Sequence, residues 1–463
     1  MYFEQFYLTC LAHASYMIGS EGEAAVIDPQ RDVDLYLEAA EEQGFKICHI
    51  FETHLHADFV SGHKELAART GAKIYIGAQA NAGFPHTPLR DGSEVRMGSL
   101  RISALETPGH TPESVCLVVT DEEKSSDPWG VLTGDTLFIG DVGRPDLSPN
   151  HTPQQLAGLL YDSLHQKLLR LPDSTLVYPA HGAGSLCGRN MRAERSSTIG
   201  TERLTNYALQ IRSREEFVQQ LTSNLPARPG YFLQDAEINR SGAEPLTGRP
   251  PLPSFTPIEL EALLNEKANV VDVRPNEEFA ARHIPGSINI ALSGQFASWA
   301  GTILGLGSKP VLVADTDAQV EEAHLRLARV GIEDIRGYLA DGVAAWQNAG
   351  RPLASTAQIS AQELDQKLRG GDVQVLDVRR EGEWQAGHIA QAQLGVLDNF
   401  PQGLPALDSG KPVAVHCKSG YRSMIACSLL ERAGHRNVIN VVGGFDAWHA
   451  AGLPEVSEQF AKA

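Results

Sequence analysis

The sequence predicts two α/β architectures in one chain. The first half reads as two sheets packed together and flanked by helices. The second half reads as two α/β units in tandem with mostly parallel sheets. Three observations carry this. Short strand-like runs dominate before residue 240. A stretch with five prolines and two glycines, SGAEPLTGRPPLPSFTP at 241–257, interrupts the chain. Beyond it, VVDVRPNEEFAARHIPGS at 270 is matched by VLDVRREGEWQAGHIAQA at 375.

Taken in order, the first half offers the apolar runs YMIGS, EAAVIDP, ICHIFETH, KIYIG, LRISALETP, SVCLVVT, WGVLTGD and STLVYPAH as strands. Helical stretches are predicted at 31–44, 61–70 and 153–170, with a further helical extension over 201–240. Residues 1–240 are thus one domain and 241–257 a linker. The repeats run over 254–353 and 357–457. Asp272, Arg274, Glu278 and His283 recur as Asp377, Arg379, Glu383 and His388. VLVADTD at 311 matches VAVHCKS at 413, and GYLADGVAAWQNAG at 337 matches GGFDAWHAAG at 443.

Composition excludes several classes. With 463 residues, 42% apolar and 21% charged, the chain is ordinary for a multidomain globular protein. A net charge of −18 argues against nucleic acid and anionic membrane as partners. No run approaches the roughly 18 apolar residues of a membrane span, and the first residues lack a basic leader, so no signal peptide is expected. Six cysteines without a CxxC pair argue against a disulfide framework and a four-cysteine zinc module. The cytoplasm, with reduced thiols, is the expected location.

The chemistry concentrates in two places. FETHLHADFVSGH at 51–63 carries His54, His56, Asp58 and His63. His110, Asp135 and His181 each follow another predicted strand. Strand ends converging on one edge hold ligands rigidly, and imidazole with carboxylate suits zinc, iron or manganese. His13, His49 and His86 stand outside this pattern and are read as ordinary structural residues.

THLHAD, PGHT, TGD and YPAH resemble the metallo-β-lactamase superfamily, which implies an αββα sandwich over residues 1–240. Two branches fit. Glyoxalase II-type hydrolases use two metals and place a histidine directly after HxHxD, where this chain has Phe59. Persulfide dioxygenases use one Fe(II), and FIGDVGRPD at 138–146 resembles their GRxD segment. That resemblance implies His54, His110 and Asp135 as iron ligands, with one iron per chain and O2 as co-substrate. It places His56, Asp58, His181 and the Arg144–Asp146 pair around them. Cys187, in GAGSLCGRN after His181, is expected near the pocket mouth as an accessory thiol. His63 is expected to be structural or to sit at the pocket rim.

In the second repeat, HCKSGYRS joins a strand to a helix. Such a turn aims backbone N–H groups into a concave nest. Cys417 opens it, followed by Lys418, Ser419, Gly420, Tyr421 and Arg422. The loop, with DVR and GGFDAW, resembles the rhodanese sulfurtransferases, implying a Cys417 persulfide. The six-residue loop suits sulfur better than phosphate. Cys427 is read as core. Alignment of the repeats sets Asp315 opposite Cys417, so the first repeat is predicted to be inactive.

The whole chain resembles a persulfide dioxygenase–rhodanese fusion. The resemblance implies a low-molecular-weight thiol persulfide as substrate, sulfite and thiosulfate as products, and a homo-oligomer. Glutathione, coenzyme A and bacillithiol all remain open as the carrier. A zinc-dependent thioester hydrolase fused to a sulfurtransferase, and a non-oxidising sulfur carrier or sensor, are the alternatives.

Overall fold

The computed structural model describes residues 1–457 apart from 224 and 226. Backbone contacts divide the chain into two units. One comprises Met1–Arg249 with Ala328–Gly331, the other the remainder from Pro250.

The first unit holds two six-stranded sheets. One contains β1 (Tyr2–Leu8), β2 (His13–Ser20), β3 (Glu23–Ile27), β4 (Lys46–Glu52), β5 (Lys73–Gly77) and β6 (Thr87–Leu89), in that order. The other contains β7 (Glu94–Met97), β8 (Leu100–Glu106), β9 (Val115–Asp121), β10 (Gly130–Gly134), β11 (Leu176–Pro179) and β12 (Ser197–Thr198), likewise in order. Tyr16, Ile18, Phe51, Leu100, Ile102 and Leu117 fill the space between the sheets. Helices Asp34–Glu42 and His63–Thr70 cover the outer face of the first sheet through Tyr36, Ala40 and Leu66. Helix Pro153–Gln166 covers the second through Ala157, Leu160 and Leu164. The four layers follow from burial on both sheet faces: every residue of β2 and β9 is buried, whereas β8 keeps the alternation of a strand with one drier face. Thr152 and Gln155 close a capping box before Pro153, an arrangement worth about 1 kcal/mol.

The stretch read as a linker is structured at both ends. Leu246 and Thr247 donate backbone N–H groups to the Glu65 carboxylate at 2.7 and 3.1 Å, and Ser254–Phe255 forms β13.

The second unit has two five-stranded sheets. Strands β13, β14 (Val270–Asp272), β15 (Ile288–Asn289), β16 (Val311–Val313) and β17 (Gly337–Leu339) build the first, ordered β13-β17-β16-β14-β15. Strands β18 (Ala357–Ile359), β19 (Gln374–Asp377), β20 (Ala392–Leu394), β21 (Val413–His416) and β22 (Val438–Val441) repeat that order. All pairings in both sheets are parallel.

Register corrects one detail of the repeat. Val270 pairs with Val311, but its counterpart Val375 pairs with Ala414. Val273 N–H bonds the Val313 carbonyl as Val378 N–H bonds that of His416. Ala314, not Asp315, therefore occupies the Cys417 position. Alanine offers no nucleophile, and Asp315 falls where the second repeat has Lys418. No helix among the described residues is long and apolar enough to cross a membrane.

Candidate metal centre and cysteine loop

The sheets converge on one edge of the first unit. β4 runs out into His54, His56 and Asp58, while β8, β10 and β11 run out into His110, Asp135 and His181. Ligand atoms of His54, His110 and Asp135 lie within 4.8 Å of one another, and all three residues are buried. Asp135 Oδ2 is 3.3 Å from His110 Nε2 and 3.8 Å from His54 Nε2.

Each histidine is held by its other nitrogen. Thr53 Oγ1 donates to Asp28 Oδ2 at 2.9 Å and so accepts from His54 Nδ1 at 3.0 Å. His110 Nδ1 donates to the Arg144 carbonyl at 3.0 Å. Both contacts leave the Nε2 lone pair free and aimed inward, the arrangement metal-binding histidines use. Among the described residues, His54 Nε2, His110 Nε2 and Asp135 Oδ2 are buried without hydrogen-bond partners. Each such orphan costs about 1–3 kcal/mol unless something else satisfies it. Three of them pointing at one spot fit a metal ion. Burial holds His54 well below the usual imidazole range and His110 below it. Burial pushes the Asp135 carboxyl up, but His181, His110 and His54 outweigh it and hold the group well below the carboxylate range. Neutral imidazoles and an ionised carboxylate are the forms that bind metal.

The neighbouring histidines are tied to carboxylates. His56 Nε2 lies 3.1 Å from Asp28 Oδ1 and 3.6 Å from Glu52 Oε2. His181 stands between two aspartates, its Nδ1 2.7 Å from Asp135 and its Nε2 2.9 Å from Asp58. His63 Nδ1 is 3.5 Å from Glu52 and the residue is buried, so it is part of the interior rather than a pocket rim. Phe59 is fully buried, with its ring 4.1 Å from that of His13 and 4.4 Å from that of His56.

Arg144 forks Asp146 at 2.6 and 2.8 Å. It also donates to the next layer: its backbone N–H meets the Cys187 carbonyl at 3.0 Å and its Nη1 the Leu186 carbonyl at 3.1 Å. This one residue thus orients His110 and anchors the loop that bears Cys187. Cys187 is only 1% exposed and its sulfur lies with the ligand atoms of Asp58 and His181. It is an inner residue, not one at a pocket mouth. A cavity of about 440 Å³ instead opens past Leu55, Ala57 and Thr111, with Arg90 and Arg240 on its wall.

Gly143 makes the contact between these parts possible. A Cβ there would fall 2.0 Å from the Asp135 carbonyl and 2.8 Å from His110 Nδ1. Gly143→Ala is expected to push two ligands apart and to cut metal affinity about 10- to 100-fold. Metal content after desalting measures this; parent-like retention would show that the loop tolerates the methyl group.

In the second unit, Cys417 follows β21 and is 1% exposed. Gly420 N–H donates to Cys417 Sγ at 3.1 Å at the start of helix Tyr421–Arg432. Lys418 and Ser419 are exposed on the loop. The DVR and GGFDAW motifs act on this loop. Asp377 holds Arg379, whose guanidinium lies 4.0 Å over the Phe445 ring. Phe445 N–H reaches the Cys417 carbonyl at 2.7 Å and Asp446 N–H that of Lys418 at 2.9 Å. Arg422 is committed to Glu383, with two contacts of 2.7 Å, rather than to the sulfur.

Family profiles agree with this geometry. Residues 8–181 match the metallo-beta-lactamase superfamily, and residues 256–349 and 360–451 each match the rhodanese-like domain. The mitochondrial persulfide dioxygenase ETHE1 of Bos taurus is 31% identical over 220 residues, 46% of this chain and 77% of the relative. The chain belongs to the metallo-beta-lactamase superfamily, with two rhodanese-like domains attached. A hydroxyacylglutathione hydrolase of Rhizobium etli is 33% identical over 223 residues, 47% of this chain and 79% of the relative. Among solved structures, a metallo-beta-lactamase from Staphylococcus aureus subsp. aureus COL matches with a TM-score of 0.66 at 33% identity, covering 73% of this chain and 98% of that one.

Two residues of the first unit stand beside the centre without belonging to any motif. His13, read from the sequence as structural, is fully buried beside the centre, with neither ring nitrogen hydrogen-bonded among the described residues. An isolated bridge to His181 brings it there. Asn239, also fully buried, clamps the ligand loop. Its Nδ2 donates to the His56 and Phe59 carbonyls at 2.8 and 2.7 Å, and its Oδ1 accepts from Ser61 N–H at 2.8 Å. No local spacing signals either one, because both depend on long-range pairing.

Proposed function

We propose that the first domain is a mononuclear iron persulfide dioxygenase and that Cys417 is the sulfur carrier of a rhodanese sulfurtransferase. The observation that carries the reading is the converging set of three buried, unpartnered ligand atoms on His54, His110 and Asp135. Two histidines and one carboxylate leave open positions on iron, as oxygenase chemistry requires. The persulfide dioxygenase relatives and the rhodanese-like domains support sulfur metabolism as the setting.

Iron bound in this triad would supply the redox chemistry with O2 and a place to hold the persulfide sulfur. The protein's own groups do the rest. Thr53 and the Arg144 carbonyl fix the ligand tautomers, while the Phe59 and His13 rings keep that side of the site dry. Arg90 and Arg240 line the cavity together with Glu113, and a guanidinium there suits a carboxylate or phosphate of a thiol carrier. The balanced reaction is R–S–SH + O2 + H2O giving R–SH, sulfite and two protons. At Cys417, the thiolate attacks the outer sulfur of a second persulfide, the R–S–S bond breaks, and R–SH leaves with the proton while the outer sulfur stays on Cys417. Sulfite then attacks that outer sulfur, and the Cys417 S–S bond breaks to release thiosulfate and the Cys417 thiolate.

The hydroxyacylglutathione hydrolase relatives favour a second reading, a zinc thioester hydrolase. Asp58, His181 and Cys187 gather beside the first triad and give that reading a local basis. One experiment separates the two: O2 uptake with glutathione and coenzyme A persulfides, with metal content measured on the same sample. About one iron per chain and persulfide-dependent O2 uptake are expected. Two zincs per chain, thioester hydrolysis and no O2 uptake would replace the dioxygenase with the hydrolase.

A further inference from the structure

The first rhodanese-like domain has no nucleophile, yet it reaches the loop that does. The near half of that loop, Cys417 and Lys418, is clamped by Phe445 and Asp446 of its own domain. The far half meets the other repeat. Asn276 Nδ2 donates to the Gly420 carbonyl at 3.2 Å, joining the Ser423 hydroxyl at 3.0 Å and Met424 N–H at 3.4 Å. Tyr421 Oη donates to the Ala291 carbonyl at 2.7 Å. Gly294 lies flat against the Tyr421 ring, since a Cβ there would come within 2.3 Å of it. One turn and more along the same helix, Ser428 Oγ accepts from Asn289 N–H at 3.1 Å. The receiving turn is itself fixed. Arg326 donates to the Leu292 and Gly294 carbonyls at 2.6 and 2.8 Å.

We infer that the inactive repeat positions the Cys417 loop, with Asn276 and the Ala291–Gly294 turn as the positioning elements. This rests on the reading of Cys417 as the sulfur carrier. Gly420 is the pivot. Its N–H is the group that donates to Cys417 Sγ, and its φ of 109° lies where glycine alone moves freely. A residue with that freedom does not set its own peptide orientation. What holds it is its carbonyl, which Asn276 shares with Ser423 and Met424 of its own helix, and Tyr421, which the other repeat holds at Ala291. A hydrogen bond to a charged sulfur is stronger than a neutral one but falls off steeply with misalignment.

Packing alone does not account for Asn276. Its Oδ1 is buried with no hydrogen-bond partner among the described residues, so a leucine of the same shape would be less costly there unless the Nδ2 contact matters. This separates positioning from stability. In the full-length chain, the double variant Asn276→Leu, Tyr421→Phe keeps both side-chain shapes and removes two donors. Its effects are read at Cys417 by iodoacetamide labelling, followed by mass on the Cys417 peptide, and by sulfur transfer from thiosulfate to cyanide. We expect both the labelling rate near neutral pH and kcat to fall about tenfold, the value of one to two such bonds, with KM for thiosulfate unchanged. Thermal stability should fall by no more than the loss of the Tyr421 hydrogen bond to the Ala291 carbonyl costs, and O2 uptake at the metal centre should match the parent.

Labelling and kcat indistinguishable from the parent would overturn the inference. So would a loss of rate that tracks a loss of thermal stability while labelling is unchanged, which would reduce the contacts to packing. If the parent itself transfers no sulfur and Cys417→Ser changes nothing, the sulfurtransferase reading fails. The labelling contrast still decides the positioning question in that case, because it needs no turnover.

Discussion

Asp135→Ala is expected to strip the first domain of its metal and abolish persulfide-dependent O2 uptake. Asp135 is the one anionic member of the triad, and its two oxygens do different work. Oδ2 is unpartnered and faces His54 and His110, while Oδ1 accepts from His181 Nδ1 at 2.7 Å. Alanine removes the charge and leaves two neutral imidazoles. Loss of a group that merely orients a ligand costs about 10- to 100-fold in metal affinity, so loss of the ligand itself should exceed that. Iron per chain after desalting, with O2 uptake on the same sample, measures the effect. Sulfur transfer to cyanide at Cys417 should persist and report that the chain remains folded. Full iron occupancy in the variant would show that the ligand set is wrong.

Much of this centre is legible in the sequence because its residues sit just beyond runs that read as strands. HxHxD after ICHIFE and single ligands after three later strands need only the rule that strand ends converge. The expectations that the structure corrects share a cause. Sequence spacing sets Cys187 at a pocket mouth, but its distance from His181 along the chain says nothing about the loop's path. That path is fixed by Arg144, 43 residues earlier in sequence and bonded to the Cys187 carbonyl. His13 belongs to no motif, and a bridge to His181 supplies what spacing cannot. Edge strands β1, β6, β7 and β12 escape the apolar pattern, because short or partly exposed strands lack a strong apolar run.

The second unit carries the same lesson at the scale of one residue. Similar strings place Asp315 opposite Cys417, whereas strand pairing places Ala314 there. Matching letters across a repeat cannot see that the connection between paired strands changes length. The conclusion of an inactive repeat stands on a different residue. Arg422 offers a related case: loop position alone aims its charge at the sulfur, and Glu383, the recurring acid of the repeat, takes its guanidinium instead. The hydrogen bond that reaches the Cys417 sulfur is that of the Gly420 N–H, which places weight on the geometry of Gly420.

Cys417→Ser should leave O2 uptake intact and change the product. Serine fits the same enclosed position, where the Gly420 N–H and the Phe445 and Asp446 clamps remain, so the fold should not suffer. A serine hydroxyl, however, is a poor nucleophile toward sulfane sulfur and cannot hold it as a persulfide. Sulfite made at the metal centre then has no enzyme-bound sulfur to attack. Sulfite should accumulate in place of thiosulfate, apart from the background formed in protein-free controls. Ion chromatography during O2 uptake measures both anions, and an unchanged thiosulfate yield would sever Cys417 from product formation. Mixing this variant with Asp135→Ala tests how the two activities are joined. One variant then makes sulfite and the other carries sulfur. Recovery of thiosulfate in the mixture means that sulfite travels through solvent, whereas continued sulfite release means that it must be made and consumed in one chain.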